Sequence, residues 1–440
     1  MKAVAAPSKV TTTGGRIASS RHIPPKLALA VGAPKTKAPA NWRWCALSEL
    51  ARLESGHTPS RRHPEYWGGS VPWLSIRDAK ACNGGSIDDT IEKTNALGIE
   101  NSSARVLPAG TVCLSRTASV GYVVVMEQPM ATSQDFVNWV CGEQLEPRFL
   151  QHLFAAEGES ILRFASGAVH QTIYFPEAKG FYVCVPSRTE QQRIVAILDE
   201  AFDGIATAKA NAERNLQNAA DLFEKHLQSV FESRHAKWKS KKLGALTTKI
   251  GSGATPLGGE EAYKATGISL VRSLNVHDDG FRMRKLAFID EVQASRLANV
   301  ELKPMDVLLN ITGASVARCC IVPNDVLPAR VNQHVSIIRP AKDQLDAEFL
   351  HLLLIAKPNK DRLLGIGEEG GSTRQAITKA QIENFTISFP ESIDEQISIV
   401  QELGALRIET QRLESLYQQK LAALDELKKS LLHEAFSGNL

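Results

Sequence analysis

Catalysis needs particular residue types at particular spacings, and few such spacings occur in this 440-residue chain. There is no Gly-x-x-x-x-Gly-Lys-Ser/Thr to cradle a phosphate at a helix start. The glycine-rich residues 365–371 follow no strand and read as a loop. Neither His-Glu-x-x-His nor Gly-x-Ser-x-Gly is present. An Asn/Asp-Pro-Pro-aromatic run, which an amino-methyltransferase needs to hold a flipped base, is also missing. His170, Gln171 and Arg163 could polarise a substrate, but no nucleophile accompanies them, and Asp306 and Asn310 read as strand-edge residues. The seven cysteines are scattered without a Cys-x-x-Cys, so they suggest neither a zinc site nor a disulfide framework. We therefore expect no catalytic residue, no metal and no cofactor on this chain. What remains is ion pairing. Arg61-Arg62-His63, residues 237–242 around Trp238, and residues 282–285 could each hold a phosphate, or could be solvated surface.

The elements that would position these residues are written twice. "VPSRTEQQRIV" begins at Val185 and "FPESIDEQISIV" at Phe389. Each follows an aromatic and β-branched run that predicts a strand, stopped by Pro186 or Pro390. Each then offers a Ser-x-x-Glu capping box, Ser187 with Glu190 and Ser392 with Glu395. A proline-free helix of about 40 residues follows in both copies, roughly 60 Å long at about 1.5 Å per residue. Apolar residues at Ile399, Leu403, Leu406, Leu413, Leu416, Leu424, Leu427 and Leu431 form a coiled-coil seam. Ile194, Leu198, Ala201, Ile205, Ala208, Ala212, Ala219 and Leu222 form an alanine-rich one. The two helices align without a gap, from Ser187 and Ser392 to Phe231 and Phe436. Upstream, Trp42, Leu47 and Leu50 match Trp238, Leu243 and Leu246. Gly56-His-Thr-Pro matches Gly253-Ala-Thr-Pro, Asp78 falls on Asn275, Ser133-Gln134 on Asn332-Gln333, and Gln171 on Gln375. The order never changes, so the chain is a tandem duplication of globular part and long helix. Each globular part has about 150 residues, enough for its own core. Strand-like runs mixed with short helices give the class α+β.

Charge and hydropathy set the setting. Hydrophobic content of 43% and charged content of 22% describe a globular chain, with no apolar run near the 18 residues of a membrane span. A reducing cytoplasm fits the cysteines. Residues 1–40 differ: they hold seven Lys/Arg and no acid, which leaves the rest of the chain at −4. They lack an apolar core, so they are no signal peptide. They read as a disordered basic extension, with a transit peptide or an upstream start as alternatives. Bulk charge alone would not grip a polyanion.

At this point the pieces resemble a known family, the specificity subunits of type I restriction-modification systems. The resemblance spans about residues 42–440. It rests on the two Pro…Glu-Gln-x-x-Ile-Val helix starts, the Trp-x-x-x-x-Leu openings, the Ser/Asn-Gln pairs and the final "LLHEAFSGNL". It implies two tandem target-recognition domains of mixed α/β structure, residues 41–186 and 236–390. Each reads one half of a split, asymmetric DNA site. The helices, residues 187–235 and 391–440, would pack as a coiled-coil spacer. Two methylation subunits and the restriction subunits would join the complex, carrying the S-adenosylmethionine and ATP/Mg chemistry.

Base reading is expected from bidentate-capable side chains in loops, Arg and Lys for guanine, Asn and Gln for adenine. The candidates are Arg61, Arg62, Arg77, Arg116 and Gln171 in the first domain, and Arg272, Asn275, Arg318, Arg374 and Gln375 in the second. Gln171 and Gln375 are equally readable as structural, since both copies keep them although their targets should differ. Gln191, Ile194, Gln396 and Ile399 recur in register at the domain–helix junctions and are the candidate partner-docking positions. Two other readings stay open: a coiled-coil adaptor without DNA, and a DNA-modifying enzyme with its own active site.

Overall fold

A computed structural model describes residues 31–32, 34–117, 119–167, 171–233, 238–256, 258–368 and 376–440. It divides into two compact units, Met1–Asn211 with Lys420–Leu440, and Ala212–Gln419.

In the first unit the strands are β1 (Arg43–Ala46), β2 (Ala51–Ser55), β3 (Trp67–Leu74), β4 (Ser86–Ile87), β5 (Lys93–Thr94), β6 (Thr111–Ser115), β7 (Val123–Met126), β8 (Ala131–Thr132), β9 (Phe136–Cys141) and β10 (Tyr182–Val185). They form sheets ordered β2-β9-β6-β7-β4, β5-β3-β8 and β1-β10. The second unit has β11 (Lys239–Lys242), β12 (Thr247–Ser252), β13 (Ile268–Val271), β14 (Val276–His277), β15 (Gly280–Phe281), β16 (Ala287–Ile289), β17 (Val307–Asn310), β18 (Cys319–Ile321), β19 (Ala329–Val331), β20 (Val335–Pro340) and β21 (Thr386–Phe389). Its sheets are β12-β20-β17-β18, β16-β13-β19, β11-β21 and the hairpin β14-β15. The duplicated sequence is thus a duplicated topology. Even the parallel pairing of β3 with β8 returns as β13 with β19. One close approach explains a repeated motif. A Cβ on Gly56 would lie 1.9 Å from the Ser133 carbonyl oxygen, and one on Gly253 1.7 Å from that of Val331. Only glycine lets these loops pass, hence Gly-x-Thr-Pro in both copies.

The two long helices are Arg188–Ser233 and Ile393–Ser437. The Ser187 and Ser392 hydroxyls accept from the Glu190 and Glu395 amides at 3.3 and 3.4 Å. The other half of the expected box is not formed at Glu190, whose carboxylate pairs with Arg193 instead. The helices run antiparallel in each unit. Lys209 meets Asp425 at 2.8 Å in the first, and His226 meets Glu402 at 3.1 Å in the second.

Each unit's core takes a stretch of both helices. Ile194 and Leu198 join Leu432, Ala435 and Phe436 in the first core. In the second, Leu227, Val230 and Phe231 join Ile399 and Leu403. The repeated openings anchor here: Trp42 lies 6.0 Å from Phe149, itself 5.3 Å from Phe436. Trp238 lies 5.8 Å from Phe349, itself 5.6 Å from Phe231. Each buried aliphatic or aromatic side chain is worth roughly 1.5–3 kcal/mol. The expected seam holds at most positions but fails at Leu222, Leu416 and Leu427, which are 48%, 49% and 47% exposed. With other seam residues turned toward the partner helix or the domains, these three lie beyond the buried stripe.

Part of the expected basic extension is packed. Val31 is wholly buried in the first core. Its amide donates to Glu157 at 2.7 Å, and its carbonyl accepts from Arg163 at 2.6 Å. Residues 1–30 lie outside the described residues.

Candidate nucleic-acid interface

In the first domain Arg61, Arg62, Arg116 and Gln171 lie on loops, while Arg77 sits in the first turn of the short helix Ile76–Ala81 that follows β3. Trp73, on β3, donates its indole N–H to the His57 carbonyl at 3.1 Å and so fixes the loop that carries Arg61 and Arg62. Thr58 on that loop bonds Gln134, and the Gln134 carbonyl accepts from Arg116 Nε at 3.1 Å. The Ile173 amide donates to the Arg116 carbonyl at 2.9 Å, two residues from the exposed Gln171. Arg61 forms a fork with Glu92 at 2.5 and 2.8 Å. Its guanidinium lies 3.9 Å from the Trp67 ring centroid, and Trp67 stands edge-on to Trp73. The hydrogen bond from Arg61 holds the Glu92 carboxyl below its usual range, with the Arg77 charge adding to the effect. Arg61 and Arg77 therefore both lie near Glu92. An exposed ion pair stabilises by about 0–1 kcal/mol at most. Its use here is orientation, since the guanidinium is held over an aromatic face. The Arg62 side chain is exposed and makes no ion pair or hydrogen bond among the described residues. Burial pushes the Arg116 guanidinium down from its ordinary value, opposed by Asp135. An arginine starts so high that it stays charged.

The second domain repeats this scaffold with different chemistry. Thr255 bonds Gln333, as Thr58 bonds Gln134. Thr117 donates to Asp135 at 2.6 Å, whereas the matching Thr312 meets the His334 imidazole at 2.6 Å. The sequence reading missed Gln134, Gln333, Asp135 and His334 as site residues. The Ser-Gln and Asn-Gln pairs were the signal that pointed to them. Arg272 donates to the Lys285 carbonyl at 2.9 Å and lies 5.1 Å from the Tyr263 ring. Arg318 is half-buried. Arg374 and Gln375 lie outside the described residues.

Two sets of expected site residues are buried. Asn275 is fully buried, so it is no base reader. Its amide oxygen accepts from the Arg272 amide at 3.1 Å, and its nitrogen donates to the Arg282 carbonyl at 2.8 Å. Asp78, its counterpart, is likewise buried and accepts from the Ser75 and Ile91 amides. The pair Asp78/Asn275 recurs because each holds a loop, not because each reads a base.

The docking positions are also buried. Gln191 and Gln396 have no exposed surface, and Ile194 and Ile399 are 1% exposed. Gln191 accepts from the Glu146 amide at 2.8 Å and donates to the Gln144 and Pro186 carbonyls at 3.0 and 3.1 Å. Gln396 does the same with Asp346 at 2.8 Å, and with Gln344 and Pro390 at 3.1 and 2.9 Å. A primary amide matches one backbone donor and two acceptors here, which neither Leu nor Glu could do. These glutamines clamp each helix start to its own domain.

Among the described residues no group of His, Cys, Asp and Glu could hold a metal ion. No helix there is long and apolar enough to cross a membrane. Burial pushes the thiols of Cys141, Cys184 and Cys320 up to about 12, away from any thiolate chemistry near neutral pH.

The two domains share one topology, and each carries a polar surface and leads into a long helix. The type I restriction modification DNA specificity domain family matches residues 39–215 and again 235–421, and the chain belongs to that family. It is thereby a DNA specificity subunit with two recognition domains, a non-catalytic role. Similar proteins include the type I restriction enzyme MjaIX specificity subunit of Methanocaldococcus jannaschii, 26% identical over 65% of this chain and 70% of that protein. The EcoR124I/EcoR124II specificity subunit of Escherichia coli is 30% identical over 38% of this chain and 42% of its own length. Among solved structures, a chain from a study of assembly and conformational transition of the type I R-M system superposes with TM-score 0.71 at 21% identity. That match covers 92% of this chain and all of the other. The HsdS subunit of Thermoanaerobacter tengcongensis gives 0.62 at 20% identity over 92% of this chain and 99% of its own.

Proposed function

We propose that the two domains read two unlike half-sites of one DNA sequence, at a separation set by the paired helices, within a cytoplasmic type I restriction-modification complex. The carrying observation is the same scaffold twice with different side chains on it. Asp135 in one domain is matched by His334 in the other, and Arg61 and Arg62 have no basic counterpart, since Gly258 and Gly259 stand at the matching positions. A symmetric dimer reads a palindrome with two chains; one chain with diverged copies reads an asymmetric bipartite site.

Methylation and restriction subunits supply the chemistry, with S-adenosylmethionine and ATP/Mg held on them and no cofactor on this chain. Two methylation subunits fit a duplicated chain, because every docking feature is present twice. The buried glutamines leave Leu222 and Leu427 as better docking positions. They are repeat-equivalent, they carry the same residue, and they are 48% and 47% exposed. The test measures binding of the assembled complex to duplexes with one half-site scrambled at a time. Loss on scrambling either half supports the reading. Full affinity with one of the two halves scrambled sinks it.

A further inference from the structure

The loop of residues 282–285, Arg-Met-Arg-Lys, is exposed throughout, and Met283 at its tip is 50% exposed. A lone exposed methionine is ordinary on a protein surface; its place beside cations on a loop of imposed shape is what singles it out. This loop is not slack. The buried Asn275 amide donates to the Arg282 carbonyl at 2.8 Å and to that of Arg284 at 3.5 Å. The Arg282 amide donates back to the Asn275 carbonyl at 2.8 Å. Arg272 holds the Lys285 carbonyl at 2.9 Å, and Lys285 takes the left-handed φ of 59°. A non-glycine residue pays for that conformation, so the surrounding bonds impose the loop's shape. Arg282 pairs with Asp279, whereas Arg284 and Lys285 have no ion pair among the described residues.

The first domain builds its matching loop differently. The buried Asp78 holds the Ile91 amide at 2.9 Å, and Ile91 is 63% exposed. Asp88, Asp89 and Glu92 surround it, and its cations are taken: Lys93 by Asp89 and Arg61 by Glu92. The second domain's loop sets an apolar side chain beside two cations, Arg284 and Lys285, that have no ion pair among the described residues, the combination that suits a polyanion with flat apolar bases inside it.

We propose that residues 282–285 are a DNA-contacting element in which Met283 lodges against the bases of a duplex while Arg284 and Lys285 engage the flanking phosphates. This rests on the DNA-specificity reading above. Met283 then supplies contact that does not depend on salt, and the two cations supply contact that does.

The experiment uses the full chain assembled with its methylation subunits. The probe is a duplex carrying the bipartite motif found by sequencing methylated host DNA, with 2-aminopurine at successive steps of each half-site. Wild type should raise the fluorescence at one step of the half-site read by the second domain. Met283→Ala should abolish that rise and weaken binding by about tenfold, without changing the slope of log K against log salt. Arg284→Ala and Lys285→Ala should each keep the rise and reduce the slope by about 1. Wild-type affinity and fluorescence in Met283→Ala would overturn the assignment. So would normal DNA binding with loss of a methylation subunit, which would make the loop a protein contact. A wild-type complex without sequence preference would sink the specificity reading itself, and the loop assignment with it.

Discussion

Replacing Gln396 with alanine tests whether the repeated helix start serves the domain or a partner. The substitution strips partners from one backbone N–H, at Asp346, and two carbonyls, at Gln344 and Pro390. Each lost bond costs about 0.5–1.5 kcal/mol net, so the three together cost roughly 3 kcal/mol. That is about a hundredfold in an opening equilibrium. The effect should be local, because the clamp joins the start of the second long helix to the turn before the Ala347–Ile355 helix. Amide hydrogen exchange on the full chain reads it directly. Peptides covering residues 344–350 and 391–400 should lose about two decades of protection, while peptides from the first recognition domain keep theirs. Methylation subunits should still bind at concentrations well above their Kd. Unchanged protection together with loss of those subunits would refute the clamp and restore Gln396 as a docking residue.

Inserting four residues at positions 206–210 of the first long helix should change the gap between half-sites and leave the half-sites themselves intact; altered bases at an unchanged gap, seen in the methylated motif, would remove the spacer role. Arg62→Ala should cost roughly 1–3 kcal/mol on probes of one half-site only. Equal loss on every probe would make it a phosphate contact, and no loss a solvated side chain. The third case concerns pH. Burial pushes the Asp199 carboxyl up, but hydrogen bonds from His152 and Arg148 outweigh it and hold the group below its ordinary value. A depressed carboxyl stabilises the fold above its unfolded value, near about 3.9, and the contribution fades as pH falls through the folded value. Urea titrations should therefore show Asp199→Asn less stable than wild type at neutral pH, with the difference shrinking on acidification. A difference constant down to about pH 3 would contradict that sign.

The duplication was legible because two copies in one chain act as their own comparison. Strand ends, helix starts and the Trp42/Trp238 anchors all fell where matching residues stood. The same logic misled at Gln191, Gln396 and Asn275. Repetition marks whatever both copies need, and both need a buried amide to satisfy backbone groups that water cannot reach. Residues that differ between the copies, such as Asp135 and His334, carry the individuality of each domain, and a search for sameness passes over them. Leu222 and Leu427 keep the seam's periodicity yet stay exposed, because spacing gives a face without saying what covers it. Nor does composition predict that the end of one helix completes the other domain's core; Phe436 beside Phe149 is a long-range contact.

The central claim is that one chain fixes two unlike half-sites at one distance. Sequencing of methylated positions in DNA from cells carrying this chain with its methylation subunits tests it most directly. The account predicts a bipartite motif of two different half-sites with a constant gap, lost when the chain is deleted. A single contiguous motif, two identical half-sites, or methylation that persists without the chain would contradict it.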